Sequence, residues 1–438
     1  MNAQNLTVRE IMAEPSIAGM RVEGEKLSPD GTKVVFLWNA EGKMPRELYL
    51  VSTAGGTPAL ILRNSDLPVP TRTPQPENKL DYGVDVRDDF VKARENQLGN
   101  FEWSPDSKKL VFSYGGDLYV HTLGERAAKR FTKTQSPESA PRFLDNERVL
   151  FSQAGNVFVM NTSDSTLTQL TKEANPTTFT SVSNITPNKS GTLVAYVVSD
   201  GSKQKALVIP NYLPEFVGSS NPRRGWSEQK LFVTPADGSR DTPFEIKLPK
   251  PEGVSNFRRM VWTTDGRSLI VDRVDKDAKR RQLFYIHNVG SKDEQIILVT
   301  EETDDKWQAS LSVIFEPNPK DASQLFFCSE KDGYNHIYLA ILEKRPPEPN
   351  PTGVIRQENS TDPGYSDKAA VKQLTKGNWQ VEWAKWTNSG SDIIYLSTEG
   401  NTAERTFRSV NRDGRIAPVT LYNSGPLSGM IEFPQMAT

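Results

Sequence analysis

The sequence predicts an all-β fold, a β-propeller of four-stranded antiparallel blades. One polar turn recurs seven times along the chain, each time directly before a short apolar strand. Several repeats then add a second strand with a central aromatic residue, and two motifs recurring in fixed order indicate a repeat architecture. The seven turns begin at Leu27, Ser104, Phe143, Thr186, Thr263, Glu316 and Thr387.

The segment Phe101–Thr134 contains one complete repeat. Ser104-Pro105-Asp106-Ser107 is typical of a tight turn, because proline fixes φ and the Asp and Ser side chains bond back to the backbone. A strand is predicted at Lys109–Tyr114, and Gly115-Gly116 favours a hairpin into a third strand at Asp117–Thr122. A short charged outer strand follows and completes a four-stranded unit.

The second strand of this repeat carries three consecutive apolar residues, Leu110-Val111-Phe112. Because neighbouring side chains on a strand point to opposite faces, this strand is predicted to be covered on both sides. Blades stacked around an axis provide such double burial, and a two-layer sandwich does not.

Few segments depart from the repeat. Leu6–Ala13 is a predicted helix, with Thr7 as its N-cap. Three irregular stretches are interpreted as long surface loops, or alternatively as loops that build the mouth of a central channel. They are Asn64–Gln97, Ile209–Glu228 and Lys344–Lys368.

Composition and charge exclude two classes of partner. The formal net charge is -2, with 25% charged and 36% hydrophobic residues, so no excess of positive charge supports nucleic-acid binding. No apolar run approaches the length of a membrane span, and the first residues lack the apolar core of a signal peptide.

The protein is expected in the periplasm or outside the cell if an export signal was removed, and in the cytoplasm otherwise.

The motifs of common enzyme chemistry are missing from the sequence. No G-x-S-x-G motif occurs, and Gly425-Pro426-Leu427-Ser428-Gly429 has the wrong spacing. The three histidines, His121, His287 and His336, lie in separate third strands without metal-ligand spacing, and are interpreted as satisfied or exposed strand residues. No catalytic residue, metal site or cofactor is therefore predicted.

One cysteine and two charge clusters remain. Cys328 lies in the apolar run Leu-Phe-Phe-Cys and is interpreted as a buried thiol. Arg280-Arg281 and Glu301-Glu302, the latter followed by Asp304 and Asp305, are interpreted as solvated turns and connections.

Four stretches carry a resemblance to a known family: LTVREIM at the start, WSPDSKKLVF, SEKDGYNHIYL and LTKGNWQVEWAKW. A generic propeller repeat does not account for Gly-Tyr-x-His-Ile or Thr-Lys-Gly-x-Trp-x-Val. The chain resembles the N-terminal β-propeller of the dipeptidyl peptidase IV-type branch of the prolyl oligopeptidase serine peptidases, an aminopeptidase and dipeptidyl peptidase group.

The resemblance implies a domain plan. In that family an eight-bladed propeller caps a C-terminal α/β-hydrolase that carries the Ser-Asp-His triad. In this chain the expected plan is a helix and lead-in at 1–20, a propeller at 21–423, and the start of a truncated last blade or a tail at 424–438, with the hydrolase absent. The expected function is non-catalytic: gating and selecting peptide substrates for the missing hydrolase domain.

The resemblance also implies two substrate-binding candidates. The family holds the free amino terminus of the substrate with a Glu-Glu pair before the fourth blade, whereas Thr171–Thr177 in this chain contains one carboxylate, Glu173. This departure puts dipeptide release in doubt. Arg46 is the candidate counterpart of the family's anchoring arginine.

An alternative function of another class is a free-standing propeller scaffold that binds a protein partner. A missing last blade would leave a sheet edge uncovered, and exposed edges invite pairing. The sequence therefore predicts either a homodimer or closure into a seven-blade ring.

We expect far-ultraviolet circular dichroism to show a strand-dominated protein. The repeat leaves room for little helix, and a helix content above about a quarter, near that of ordinary domains, would contradict the propeller.

Overall fold

The computed structural model describes residues 7–11, 17, 19–68, 98–206, 209–213, 216–220, 223–224, 227–251, 253–275, 279–306, 313–344 and 364–424. These residues are almost entirely strands and turns. The chain divides into two compact units, with the boundary between Lys172 and Glu173. Each unit is built from four-stranded antiparallel arrays, which we call blades, and in which the strands follow one another in space. In the second unit, two neighbouring blades are joined into one eight-stranded sheet by a parallel pairing of Leu298 with Lys368.

The first unit contains three blades among its described residues. A one-turn helix, α1, precedes them at Val8–Ile11, and a short 3-10 turn follows the first blade at Asn64–Asp66. The strands are Glu23–Leu27 (β1), Lys33–Trp38 (β2), Glu47–Ser52 (β3) and Ala59–Leu62 (β4) in blade 1, Gly99–Trp103 (β5), Lys109–Tyr114 (β6), Asp117–Thr122 (β7) and Lys129–Arg130 (β8) in blade 2, and Glu138–Phe143 (β9), Arg148–Gln153 (β10), Asn156–Asn161 (β11) and Leu167–Gln169 (β12) in blade 3.

The second unit contains four blades among its described residues, and blade 4 carries an insertion of two short strand pairs between its second and third strands. The strands of blade 4 and its insertion are Thr180–Pro187 (β13), Leu193–Asp200 (β14), Lys205–Ala206 (β15), Ile209–Leu213 (β16), Phe216–Ser220 (β17), Arg223–Arg224 (β18), Glu228–Pro235 (β19) and Phe244–Ile246 (β20). The later blades are Ser255–Trp262 (β21), Leu269–Asp275 (β22), Arg280–His287 (β23) and Gln295–Thr303 (β24) for blade 5, Phe315–Pro317 (β25), Gln324–Ser329 (β26), His336–Lys344 (β27) and Tyr365–Gln373 (β28) for blade 6, and Val381–Trp386 (β29), Asp392–Ser397 (β30), Arg405–Asn411 (β31) and Ile416–Ser424 (β32) for blade 7.

The strand predictions are confirmed, and two of the irregular segments differ from expectation. β6 and β7 have the predicted bounds. The stretch Ile209–Glu228 is not a structureless loop, since β16 and β17 pair as a hairpin within it. The described part of the predicted N-terminal helix is the single turn α1. Residues 69–97, 345–363 and 425–438, which include most of two predicted loops and the predicted tail, lie outside the described residues.

Apolar side chains are buried between neighbouring blades, as the sequence of β6 predicted. Leu110 and Phe112 pack in a cluster with Val35 and Leu48 of blade 1. Val111, between them in sequence, packs instead with Val149 of blade 3. Each face of blade 2 therefore contributes to a different core, and the blades stabilise one another.

The recurring turn is closed by its own side chains. In blade 2 the Ser104 hydroxyl donates to Asp106 at 2.6 Å and accepts the backbone N–H of Lys109 at 2.8 Å. Asp106 also accepts the backbone N–H of Lys108. Ser28 and Thr263 open the turns of blades 1 and 5 with the same type of hydroxyl-to-Asp bond. The motif thus directs the chain from the first strand of a blade into the second.

A tryptophan bond links blades at the same point of the repeat. Trp103 closes β5 and donates its indole N–H to the Lys26 carbonyl in the first strand of the preceding blade, at 3.1 Å. Trp262 and Trp386 make the equivalent bonds in the second unit, at 2.8 and 3.1 Å. The three acceptors are Lys26, Thr186 and Glu316, each on the first strand of the preceding blade.

Each blade has two ends that differ in chemistry. In a four-stranded antiparallel sheet, the end with the first turn is opposite the end with the hairpin between strands two and three. We call the first the turn end and the second the hairpin end. The connection to the next blade also leaves from the hairpin end, because the fourth strand finishes there.

Within the part of the chain that the structure describes, no helix has the length and apolar composition needed to cross a lipid bilayer.

We expect Trp386→Phe to lower the free energy of unfolding by about 1–3 kcal/mol, because it removes the donor to a buried carbonyl. Trp383→Phe is the matched control on the same strand. Trp383 is half-buried, and its indole N–H has no hydrogen-bond partner among the described residues. Trp383→Phe should therefore lower the free energy of unfolding by less than about 1 kcal/mol. Urea unfolding followed by circular dichroism measures both, and equal losses would contradict the role given to the indole bond.

Candidate functional site

Both predicted substrate-binding residues lie at the hairpin ends of their blades. Arg46 directly precedes β3, in the hairpin from β2. Glu173 lies in the connection from β12 to β13 and opens the second unit. They belong to different units and are therefore described separately.

Glu173 is half-buried and engaged by its own unit. Its carboxylate accepts the hydroxyl of Tyr196 at 3.0 Å, and its carbonyl accepts the hydroxyl of Thr180 at 2.5 Å. Burial, together with the neighbouring Glu173 charge, raises the pKa of Tyr196, so the phenol stays a hydrogen-bond donor. An incoming ammonium group would meet a carboxylate already oriented by this donor. The role of Glu173 in substrate binding stays a prediction.

Arg46 is held by two neighbours in blade 1. Its guanidinium pairs with Glu23 at 2.7 Å and lies 3.4 Å from the Arg21 carbonyl. The arginine side chain is 18% exposed, whereas its carboxylate partner is 45% exposed. Arg46 is thus positioned at the surface of its blade, and its anchoring role also stays a prediction.

The histidines lie in the core. His287 is 4% exposed, and its Nδ1 lies 3.1 Å from the Ser268 hydroxyl, which is itself fully buried. A serine and a histidine at this distance resemble a nucleophile and its base, but complete burial leaves the hydroxyl no access to a substrate. The interpretation of His287 as a satisfied strand residue is confirmed.

His121 is also buried, at 1% exposed, and its Nδ1 has no hydrogen-bond partner among the described residues. Burial lowers the pKa of His121, which keeps the ring neutral. Cys328 is 1% exposed, and burial raises the pKa of its thiol to about 12. The prediction of a buried thiol is confirmed.

The interpretation of the charge clusters as solvated turns is confirmed for Asp304 and Asp305, which follow the strand Gln295–Thr303 and are exposed, and is wrong for the other four residues. Arg280 and Arg281 begin strand β23, and Glu301 and Glu302 lie in β24. Arg281 is 1% exposed and Glu302 is 5% exposed. Only the outer pair, Arg280 with Glu301 at 2.8 Å, keeps partial exposure.

Four buried or half-buried charges form a row across the hairpin end of blade 5, one from each strand. Asp272 of β22 accepts from Arg258 of β21 and from Arg281 of β23, both at 2.6 Å. Arg281 also lies 3.5 Å from Glu302 of β24. We call these four residues the ion row. Two cations and two carboxylates balance its charge.

Local backbone geometry brings the ion row together. Arg281 and Glu302 are direct cross-strand partners. A β-bulge lies between Phe257 and Arg259 of β21, so Arg258 falls out of register with β22. Bulges re-aim a side chain in this way. Arg281 also donates to the Cys328 carbonyl at 2.8 Å and thereby links blade 5 to blade 6.

One sequence signal could have identified the ion row. Asp272 interrupts the otherwise apolar start of β22, Leu-Ile-Val-Asp, and a charge in such a strand requires a buried partner. Burial by itself would lower the pKa of Arg281, but Asp272 and Glu302 outweigh it and raise that pKa above its ordinary value. Arg281 therefore stays a cation, and the ion row holds the blade rather than offering a reactive group.

The two most specific sequence motifs form one hydrogen-bonded contact, at the connection from blade 6 to blade 7. Asn335 donates to the Val381 carbonyl at 2.6 Å. His336 donates through Nε2 to the Gly377 carbonyl at 2.9 Å, and the ring of Trp379 packs edge-on against it at 4.8 Å. Because Nε2 is the donor, Nδ1 accepts from the Thr375 hydroxyl at 3.2 Å.

The glycine of this contact is required by its backbone. Gly377 has φ of +139°, and a Cβ at this position would collide with the indole nitrogen of Trp379. The residues that carried the family resemblance therefore fix the path of one blade connection.

We expect Arg281→Met to cost about 3–5 kcal/mol of unfolding free energy, because it leaves a net negative charge in the buried ion row. Arg280→Met is the matched control one residue earlier, and its partly exposed pair should cost at most about 1 kcal/mol. Adding Glu302→Gln to Arg281→Met restores charge balance and should recover part of the loss. Chemical denaturation of the four proteins measures this, and equal losses for Arg280→Met and Arg281→Met would contradict the importance of burial.

The comparisons with known proteins agree with this fold. Residues 217–426 match the family model described as the dipeptidyl peptidase IV (DPP IV) N-terminal region. The crystal structure of Porphyromonas gingivalis dipeptidyl peptidase 4 is similar with a TM-score of 0.65 and 16% identity, covering 96% of this chain and 56% of that chain. A dipeptidyl aminopeptidase IV candidate from Bacteroides ovatus is similar with a TM-score of 0.56 and 18% identity, covering 90% and 53%.

This chain thus spans little more than half the length of these two proteins. At such identities the likeness shows the fold, and the predicted all-β propeller of four-stranded blades is confirmed. The family match covers the last two strands of blade 4, all the strands of blades 5 to 7 and both motifs of the contact at Gly377. The match of residues 217–426 to the dipeptidyl peptidase IV N-terminal region confirms the resemblance predicted from the sequence.

Proposed function

We propose that this chain is the non-catalytic propeller of a dipeptidyl peptidase IV-like serine peptidase, and that it gates and selects peptide substrates for an α/β-hydrolase domain. The family match over residues 217–426 is the observation that carries this proposal. The hydrolase would supply the nucleophile, the base and the oxyanion hole. The 438 residues themselves contain no G-x-S-x-G motif.

The positions of the charged groups support a recognition role. Turn ends are closed by short hydroxyl-to-Asp bonds, as at Ser104. Hairpin ends instead carry the insertion of blade 4 and both candidate residues, Glu173 and Arg46. Binding residues are commonly placed on connections held by a rigid frame.

The single carboxylate at Glu173 sets the expected specificity. One carboxylate can pair with a free amino terminus, but it provides half of the charge that the family's Glu-Glu pair provides. We therefore propose that the chain selects peptides with a free amino terminus. Its affinity for a peptide should depend less on that terminus than it does in the family's dipeptidyl peptidases.

We expect the purified chain to bind a fluorescent peptide that has a free amino terminus and proline as its second residue. Acetylating the amino terminus should weaken binding several-fold, because it removes the charge that pairs with Glu173. Glu173→Gln should abolish the difference between the two peptides, and Glu125→Gln, at an exposed turn-end position of blade 2, should leave it intact. Fluorescence anisotropy measures the affinities of both peptides for the unchanged chain and for the two variants.

Three outcomes would contradict the proposal. Equal binding of the free and acetylated peptides would remove the role of Glu173, and no binding of either would favour a scaffold that binds a protein partner. Covalent labelling of a serine in the folded chain by a fluorophosphonate probe would contradict the non-catalytic assignment.

A further inference from the structure

A cavity of about 400 Å³ lies in the second unit, at the hairpin end of blades 4 and 5. Its walls come from the start of β19, the end of β20 and the connection at 247–255 that leads into β21. Arg273, near the end of β22, also belongs to the wall. A pocket of this volume suits a small organic ligand.

The charges in the wall do not balance. The lining includes four cations, Lys230, Lys247, Lys250 and Arg273, and two carboxylates, Glu228 and Glu245. The carboxylates already have cationic partners, since Glu245 lies 3.9 Å from Lys230 and Glu228 lies 3.6 Å from Lys203. Lys247 and Lys250 form no ion pair within the described residues. The cavity therefore carries an excess of positive charge.

Arg273 is the buried member of this set. It is 4% exposed and forms no ion pair with any residue that the structure describes. Its hydrogen bonds go to neutral acceptors: Nε and Nη2 donate to the Gln282 side-chain oxygen, and Nη1 donates to the Pro249 carbonyl at 2.8 Å. Its guanidinium also packs over the ring of Phe284 at 4.8 Å.

The carboxylate of Glu301 attracts Arg273 through space but forms no ion pair with it. Glu301 accepts the Gln282 side-chain amide at 2.6 Å, and it is already paired with Arg280. Burial, with the neighbouring Arg280 charge, lowers the pKa of Arg273 to about 10. A buried cation without a carboxylate partner is costly, and an anion that enters the cavity would offset that cost.

The donor count of Arg273 fits an oxygen anion. A guanidinium has five N–H groups, and the three bonds above leave one N–H on each terminal nitrogen. Carboxylates accept such donors in strong charge-assisted bonds. Lys247 and Lys250 would attract the same anion at the exposed side of the cavity.

Much of the rest of the wall is apolar. Leu248 and Val254 are half-buried and line the same cavity, together with Phe257, which is 8% exposed. Such a surface favours a hydrocarbon group attached to the anion, because burying apolar area is itself favourable.

We propose that this cavity binds an amphipathic carboxylate, with the carboxylate on Arg273 and an apolar group against Leu248, Val254 and Phe257. The site is separate from Glu173 and needs no peptidase activity. It therefore goes beyond the proposed function and does not depend on it.

Calorimetric titration of the purified 438-residue chain at low salt tests the proposal, with N-acetyl-L-leucine as the probe. N-acetyl-L-leucinamide has nearly the same shape without the charge, and we expect it to bind at least about tenfold more weakly. Acetate and inorganic phosphate, which lack the apolar group, should also bind at least about tenfold more weakly than the probe.

Variants assign the binding to this cavity. Arg273→Gln should lower the affinity for the probe about tenfold or more. The double variant Lys247→Gln with Lys250→Gln should lower that affinity several-fold. Arg267→Gln, an equal charge change at the exposed turn end of blade 5, should have no effect. If Arg273→Gln fails to fold, the double variant decides, because both of its lysines are exposed.

The proposal is overturned if the acid and its amide bind equally, or if neither binds. It is also overturned if phosphate or acetate binds as tightly as the probe, since the apolar wall would then have no role. Affinity that is unchanged in a folded Arg273→Gln protein, or in the double lysine variant, places the binding elsewhere.

Discussion

The fold depends on the burial of apolar side chains between blades, because one blade cannot cover its own two faces. Leu110 and Phe112 pack toward one neighbour while Val111 packs toward the other. The indole bonds of Trp103, Trp262 and Trp386 reinforce this contact at one point of the repeat, and each satisfies a carbonyl in the preceding blade. A blade is therefore stable only next to its neighbours, as in other repeat proteins.

The two ends of a blade have different roles. At the turn end, hydroxyl and Asp side chains satisfy the backbone locally, and Asn318 of blade 6 reaches the Gly390 carbonyl of the next turn at 2.9 Å. At the hairpin ends of blades 4 and 5, the ion row is paired internally and holds the sheet, whereas Lys247, Lys250 and Arg273 form no ion pair among the described residues. The turn end is thus occupied by structural bonds, whereas the cations around Arg273 are available for recognition.

The family motifs have a physical reason in this arrangement. Asn335 and His336 lie where the hairpin between β26 and β27 ends. They hold the connection from blade 6 to blade 7 by donating to the carbonyls of Val381 and Gly377. The sequence resemblance is therefore carried by residues that fix a blade connection, rather than by residues that touch substrate. This explains why the family could be recognised while the candidate sites, Glu173 and Arg46, rest on the resemblance alone.

The sequence by itself determined the repeat, the strands and the turns, because turn chemistry and strand alternation are local properties of neighbouring residues. It could not separate Arg280 from Arg281: both belong to one strand, but only Arg281 is enclosed, by Asp272, Glu302 and the adjacent blade. The cavity beside Arg273 was equally invisible, since its walls come from two blades. Which face of a strand is buried, and which charge is left without a partner, was decided only by the packing of distant segments.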